Sequence, residues 1–368
     1  MLTRIFGSSP DNHMKKVLYI SNIEIPYRVQ FFNELARHCE LTVLYERRKS
    51  DNRDKKWTAS VHGNYRTEYL DGIRFSKENA LSLKIFKYIT GGYDVIVVGC
   101  VNSPIQILAM EWMKLMRIPY YLNLDGEIHL GGADLKTRIK KMILKGAHKY
   151  LVAGEHAAKS LRKIAKDSDI VPYYFSSLTD KELTDRRTTV GHASRNNIVL
   201  VIGQYFDYKG MDVALEAARM DLSICYKFVG MGVRTELFRQ ECHTDDLPNV
   251  ELIPFLQKEE LMLEYQRCRM MLLPSRKECW GLVVNEAASF GMPIVSTWGS
   301  GAAVEFMADD YPQFLAVPGS AESLLEAVRA VSTMTDAVEY GQYLVDKGMG
   351  YSIERSVQAH LSVLLNDE

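Results

Sequence analysis

The sequence contains no run of about 18 apolar residues and so offers no membrane-crossing helix. It contains no Cys-x-x-Cys. Its six cysteines stand apart at 39, 100, 225, 242, 268 and 279, which excludes a disulfide frame and a zinc site built on paired cysteines and fits reduced thiols in a cytoplasm. Charge of one sign is not in excess. The 45 Lys and Arg against 46 Asp and Glu leave a net charge of −1, which argues neither for nor against a polyanionic partner; no nucleic-acid partner is expected. No secretory leader is legible, since Lys15 and Lys16 precede only the short apolar run 17–20, closed by Ser21 and Asn22. Internal repeats of 20–50 residues and low-complexity tracts are absent. An Asp-x-Asp occurs at Asp167-Ser-Asp169, but it follows a helical stretch and not a strand, so no metal ligand is assigned and no metal cofactor is expected.

What is present is globular. Apolar residues make up 47% and charged residues 25%, and 368 residues are more than one ordinary core requires, so two domains are expected. Short apolar runs at 17–20, 41–45, 95–98, 120–124, 150–153 and 170–172 alternate with helical patterns at 29–37, 104–116, 136–144 and 155–165. The stretch 47–65 reads as a loop. A polar, aperiodic stretch over 176–196 reads as a linker. The alternation then restarts, with strands at 198–202, 224–229, 250–253 and 270–273 and helices at 211–220, 235–242 and 259–267. This is an α/β chain of two doubly wound halves. The expected division is a disordered leader 1–13, a first domain 14–175, the linker 176–196, a second domain 197–348 and a last helix within 349–368, capped by Ser352.

The stretch 274–305 organises the second half. An apolar run ends at Pro274, a helix starts near Trp280 and stops at Gly291 before Pro293, and a second apolar run ends in Gly299-Ser300-Gly301. Strand, helix and strand in this order put Glu278 and Glu286 near the carboxyl ends of strands, where open sheets bind ligands. The helix start near Gly281 offers unpaired N–H groups to an anion. A solvated helix face carrying two carboxylates is the plainer alternative.

The phrase from Glu278 through Gly281-Leu282, Glu286-Ala287, Gly291 and Pro293 resembles the donor motif of the family 4 glycosyltransferases. These are retaining enzymes of GT-B architecture, two Rossmann-like domains facing a central cleft. The resemblance is strong over the second half and continuous but weaker over the first, where the phrases at 19–35 and 176–183 look like those of bacterial enzymes that build surface polysaccharides. It implies that Glu278 faces the hexose hydroxyls of a nucleotide-sugar donor, UDP- or GDP-linked, and that Glu286 holds the ribose. It further implies that Gly281, Leu282 and Val283 lie at the donor. It implies a last helix that crosses back over the first domain, and an acceptor that is a lipid-linked or oligosaccharide glycan. Localisation would be cytoplasmic and peripheral at the inner face of the cell membrane. The nucleotide sugar is substrate, and no cofactor is implied.

Other motifs extend the reading. Gly203 to Gly210 follows a strand and opens a helix, and Lys209 matches the family's phosphate-binding Lys. Gln204 stands where the family has Arg, and Arg28, Arg276 or Lys277 are candidates to replace that charge. The turn at Gly230 resembles the family's loop near the donor, or is simply a tight turn. Phe255 is placed to stack on a base or to fill the core. Asp125 takes the place of a family His near the reaction centre, and is read either as a catalytic group that orients the hexose or receives the acceptor's proton, or as a turn carboxylate. Arg28 opens a helix at the expected cleft, directed at phosphate or acceptor. His129 reads as structural or solvated. Lys136, Lys140, Lys141 and Lys145 fall in a basic amphipathic helix suited to an anionic membrane surface, or to water. The rival functions are a nucleotide-sugar epimerase or hydrolase of the same shape, and a nucleotide-sugar-binding protein without turnover.

Overall fold

The computed structural model describes residues 14–48, 63–74, 80–99, 101, 103–126, 134–187 and 195–365. The expected leader and His129 therefore lie outside the described residues. The first half runs β1 (Lys16–Ile23), α1 (Pro26–Leu35), β2 (Glu40–Arg47), β3 (Arg66–Tyr69), β4 (Ile73–Arg74), β5 (Ala80–Leu81), α2 (Lys84–Ile89), β6 (Val95–Val98), α3 (Pro104–Met116), β7 (Tyr121–Leu124), α4 (Leu135–Leu144), β8 (Lys149–Ala153), α5 (Glu155–Leu161) and β9 (Ile170–Tyr173). The second half runs α6 (Asp180–Arg187), β10 (Asn196–Ile202), α7 (Met211–Met220), β11 (Cys225–Val229), α8 (Thr235–Glu241), β12 (Val250–Ile253), α9 (Lys258–Arg267), β13 (Cys268–Leu272), α10 (Leu282–Ser289), β14 (Ile294–Thr297), α11 (Gly301–Met307), β15 (Leu315–Ala316), α12 (Ala321–Ser332), α13 (Ala337–Gly348) and α14 (Ile353–Leu364).

Two parallel sheets result. The first has the order β3-β2-β1-β6-β7-β8-β9 and the second the order β12-β11-β10-β13-β14-β15. Central strands such as β1 and β10 are near-continuous apolar runs because helices cover both of their faces. All strand ends that carry loops to helices therefore lie along one edge of each sheet, and this places the motif residues together. The edge strand β3, Arg-Thr-Glu-Tyr, shows no buried side chain, which is why its pattern carries no apolar signal.

The stretch 176–196, expected as a linker, is helical over Asp180–Arg187. The helix buries one apolar side chain, Leu183, and is otherwise held by polar contacts, so no apolar period announces it. Thr179 and Glu182 cap each other's backbone N–H groups at 3.2 and 3.0 Å, Lys181 pairs with Asp185 at 2.5 Å, and Arg186 lies 4.8 Å above the Phe290 ring.

The domains are laced together at several points. Asn285 of α10 donates to the carbonyl of Phe175 at 3.1 Å and accepts from the Trp280 indole at 2.9 Å. The Glu305 carboxylate of α11 accepts from the backbone N–H groups of Glu155 and His156 at the start of α5, at 3.0 and 2.9 Å, and from the Tyr351 hydroxyl at 2.9 Å. Helix α14, its Ser352 side chain accepting from the N–H of Arg355 as the sequence predicts, packs on α1 and β9 of the first domain.

Candidate active site

The site is built from loops at the carboxyl edge of the second sheet. After β13 the chain runs through Pro274 to Gly281, and neighbouring turns fix its path. Glu278 N–H donates to Gly299 at 2.8 Å, Gly301 N–H donates back to Glu278 at 3.2 Å, and Lys277 N–H donates to Tyr208 at 3.1 Å. The last bond ties this loop to the Gly203–Gly210 loop that follows β10. The tie brings Lys209 and Glu278 into an ion pair, both side chains largely buried. Next to them α10 begins at Leu282, one residue after Gly281. Gly281 has φ 102°, a left-handed conformation that only glycine adopts without strain, and this starts the helix two residues later than the sequence suggests. The N–H groups of Leu282 and Val283 belong to the open first turn.

Glu286 lies one turn further along α10. Its carboxylate accepts from the Tyr265 hydroxyl at 2.9 Å and from Ser177 at 3.2 Å, and burial raises its pKa above the usual carboxylate value. Gly203, Gly230 and Phe255 stand at the ends of β10, β11 and β12. Gly203 N–H donates to Val229 and Gly230 N–H donates to Ile253, so these ends form one continuous rim. Phe255 is half-buried in it. The Gln204 side chain is half-buried and makes no hydrogen bond to a described residue.

The first domain contributes Asp125, directly after β7. One carboxylate oxygen accepts from Arg28 and, at 2.9 Å, from the Tyr173 hydroxyl. Gly126 packs directly against the backbone of Cys279, leaving no room for a side chain. That contact sets the Asp125 turn beside Glu278. Arg28, expected to point toward phosphate or acceptor, is instead buried between Phe31 and Phe175, 5.8 and 5.4 Å from their ring centroids, with its charge paired to Asp125. Beneath this pair lies His360 of α14, fully buried against Phe31 and Tyr173, and burial lowers its pKa to about 3. Arg276, a second candidate for the missing charge, forms a fork with Asp212 at 2.8 and 2.5 Å.

Tyr173, Tyr265, Ser177 and Gly126 are site neighbours that sequence reasoning does not single out. Ser177 lies in the phrase 176–183 and Gly126 directly follows Asp125, but neither carries a role in the sequence reading. The tyrosines read as core aromatics, and nothing local marks their hydroxyls. Among the described residues no group of three or more His, Cys, Asp or Glu is arranged to hold a metal. On α4, Lys145 is exposed, Lys140 and Lys141 are half-buried, and Lys140 acts electrostatically on Cys279 at the cleft. The side chain of Lys136 lies outside the description. Leu135, Ile139 and Met142 of α4 are exposed, as are Leu115 and Met116 at the end of α3. No helix among the described residues is long and apolar enough to cross a membrane.

A family model described as Glycosyl transferases group 1 matches residues 184–343. That match spans 160 of the 368 residues and falls on the second sheet and the helices around it. An uncharacterized glycosyltransferase of Methanocaldococcus jannaschii is 22% identical over 62% of this chain and 61% of its own length, so the chain spans about three-fifths of that relative. The O-antigen chain mannosyltransferase C of Escherichia coli is 27% identical over 67% of this chain and 68% of its own. The crystal structure of Anabaena HepE in complex with UDP and glucose superposes with a TM-score of 0.68 at 17% identity, covering 96% of this chain and 100% of that one. The matched residues thus lie within a GT-B fold, two parallel-sheet domains meeting at the Asp125 and Glu278 loops.

Proposed function

We propose that this chain is a retaining glycosyltransferase that moves a hexose from a nucleotide sugar to a hydroxyl of a growing, lipid-linked glycan in polysaccharide biosynthesis. The observation that carries the proposal is the Lys209–Glu278 pair between two loops at the carboxyl edge of the second sheet, beside the open start of α10. A nucleotide sugar needs a cation and N–H donors for its diphosphate, and a carboxylate for its hexose hydroxyls, within one small space. The group 1 match and the mannosyltransferase relative support this reading, and the UDP and glucose held by HepE support a nucleotide-sugar donor.

In this mechanism the bond between the anomeric carbon and the diphosphate oxygen breaks, and its electron pair leaves with the diphosphate. Lys209 and the first N–H groups of α10 stabilise the developing negative charge. Glu278 orients the hexose, and Glu286, already held by Tyr265 and Ser177, accepts from the ribose hydroxyls. The acceptor oxygen attacks on the face that the leaving group vacates. Its proton passes to the departing phosphate, with Asp125 steering the hydroxyls. Because Lys209 and the helix N–H groups carry the charge, transfer proceeds without a metal. The exposed apolar and basic residues of α4 support docking at the inner face of an anionic membrane, where a lipid-linked acceptor is found.

The test is incubation with UDP-, GDP-, ADP- and dTDP-sugars, with membrane extract as acceptor source and excess EDTA, followed by chromatography. Free nucleotide formed only with acceptor is expected. A changed or hydrolysed sugar without acceptor would mean an epimerase or hydrolase, and loss of transfer in EDTA with recovery in Mn²⁺ would overturn the metal-free route.

A further inference from the structure

The Gly203–Gly210 loop carries a neutral amide at Gln204, and of the three cations offered in its place both arginines are engaged elsewhere, Arg28 with Asp125 and Arg276 with Asp212, while Lys277 is exposed. Arg234 is different. It follows the Gly230 turn at the end of β11, the strand next to β10. Its guanidinium carbon lies 4.1 Å from the centroid of the Phe206 ring, and one nitrogen donates to the Tyr205 carbonyl at 3.2 Å. Phe206 stacks on Tyr208 with centroids 5.5 Å apart and planes 15° apart. Lys209 Nζ lies 5.6 Å from the Tyr208 centroid. Arg234, Phe206, Tyr208 and Lys209 thus form one row along the loop, with a cation at each end.

The two cations differ in their partners. Lys209 is paired with Glu278, whereas half-buried Arg234 has no carboxylate partner among the described residues. A guanidinium has five N–H donors in a planar fork, and the Tyr205 carbonyl takes one. A partly desolvated charge held over an aromatic ring, without a counterion, is arranged for an anion. The two turns also touch, since a Cβ on Gly230 would lie 3.5 Å from the carbonyl oxygen of Gly203.

We infer that Arg234 supplies the positive charge that Gln204 does not, binding a diphosphate oxygen of the donor from the end of the loop opposite Lys209. This rests on the nucleotide-sugar reading above. It makes the phosphate grip of this chain a two-strand device, with one cation after β10 and one after β11.

Calorimetric titration of UDP and GDP into the full chain tests it. The parent is expected to bind at least one of them. Arg234→Gln should bind that diphosphate about tenfold or more weakly, and the matching monophosphate within about threefold of the parent, as loss of a charge-assisted contact requires. Adding Gln204→Arg to Arg234→Gln should restore the diphosphate affinity, which a merely structural role for Arg234 would not allow. Arg234→Lys keeps the charge without the fork and should fall between, and it decides the matter if Arg234→Gln does not fold. Parental affinity in Arg234→Gln or in Arg234→Lys, or a loss that Gln204→Arg leaves in place, overturns the inference. A parent that binds neither UDP, GDP nor any nucleotide sugar overturns the nucleotide-sugar reading itself.

Discussion

Lys209 and Glu278 come from loops 69 positions apart and meet in a largely buried ion pair. In the proposed reaction, with only an amide at Gln204, Lys209 would be the main cation toward the sugar side of the leaving group. Lys209→Ala should therefore lower turnover by about 10²-fold or more, on the scale of removing one transition-state donor, measured as initial rates at saturating donor. Near-parental turnover would place the leaving group elsewhere. His360 supports a second prediction. Its imidazole is fully buried, and its pKa falls from 6.5 to about 3, so the folded state binds fewer protons than the unfolded one at acidic pH. Its contribution is complete above pH 6.5 and is lost as pH falls from 6.5 toward 3. Between pH 7.5 and 5 the parent should lose about 2 kcal/mol that His360→Phe does not lose, read from urea midpoints at the two pH values. Parallel curves would remove His360 from the acid response. The residues differ in how readable they were. Lys209, Gly281, Glu278 and Glu286 sit in short phrases whose glycines and prolines mark the turns. The Arg28–Asp125–Tyr173 group is assembled from α1, β7 and β9, and no local spacing announces it.

Among the elements, α4 is the one whose composition and placement pull apart. Its exposed Leu135 and Met142 face outward at 71% and 63% accessibility, while Lys140 lies near Cys279. Membrane docking should thus depend on the apolar residues as well as on charge. Replacing Lys136, Lys140, Lys141 and Lys145 with Gln should weaken sedimentation with phosphatidylglycerol liposomes, and Ile139→Ser with Met142→Ser should do so too at high salt, where screening leaves the apolar part. Equal sedimentation of all three proteins would move the contact to another surface. Strongly periodic elements such as α3 and α7 were legible to the residue, Pro104–Met116 and Met211–Met220. Helix α6 was not, because reciprocal capping and charge pairs leave no apolar stripe. The signal that could have found it is Thr179-x-x-Glu182.

At the scale of the whole molecule, Glu305 is a polar tie between the domains, holding two backbone N–H groups of α5 and the Tyr351 hydroxyl. Glu305→Ala leaves these donors without their acceptor. It should cost about 1–2 kcal/mol, the scale of losing a helix cap, and should lower the melting temperature without changing either domain's secondary structure by circular dichroism. An unchanged melting temperature would show that the other contacts, Asn285 to Phe175 and α14 on the first domain, hold the domains without it. That helix has a consequence for how the protein is made. His360 contacts Asn123 at 3.4 Å, yet it is 237 residues later in the chain. At about 5–20 residues per second, synthesis leaves the first sheet, complete only at Tyr173, waiting roughly 10–40 s for its last covering helix. Through that interval Phe31 and Tyr173 lack the ring that packs against them. The first domain therefore leaves the ribosome early but finishes folding late, and it is a natural client for chaperones that bind apolar surface on nascent chains.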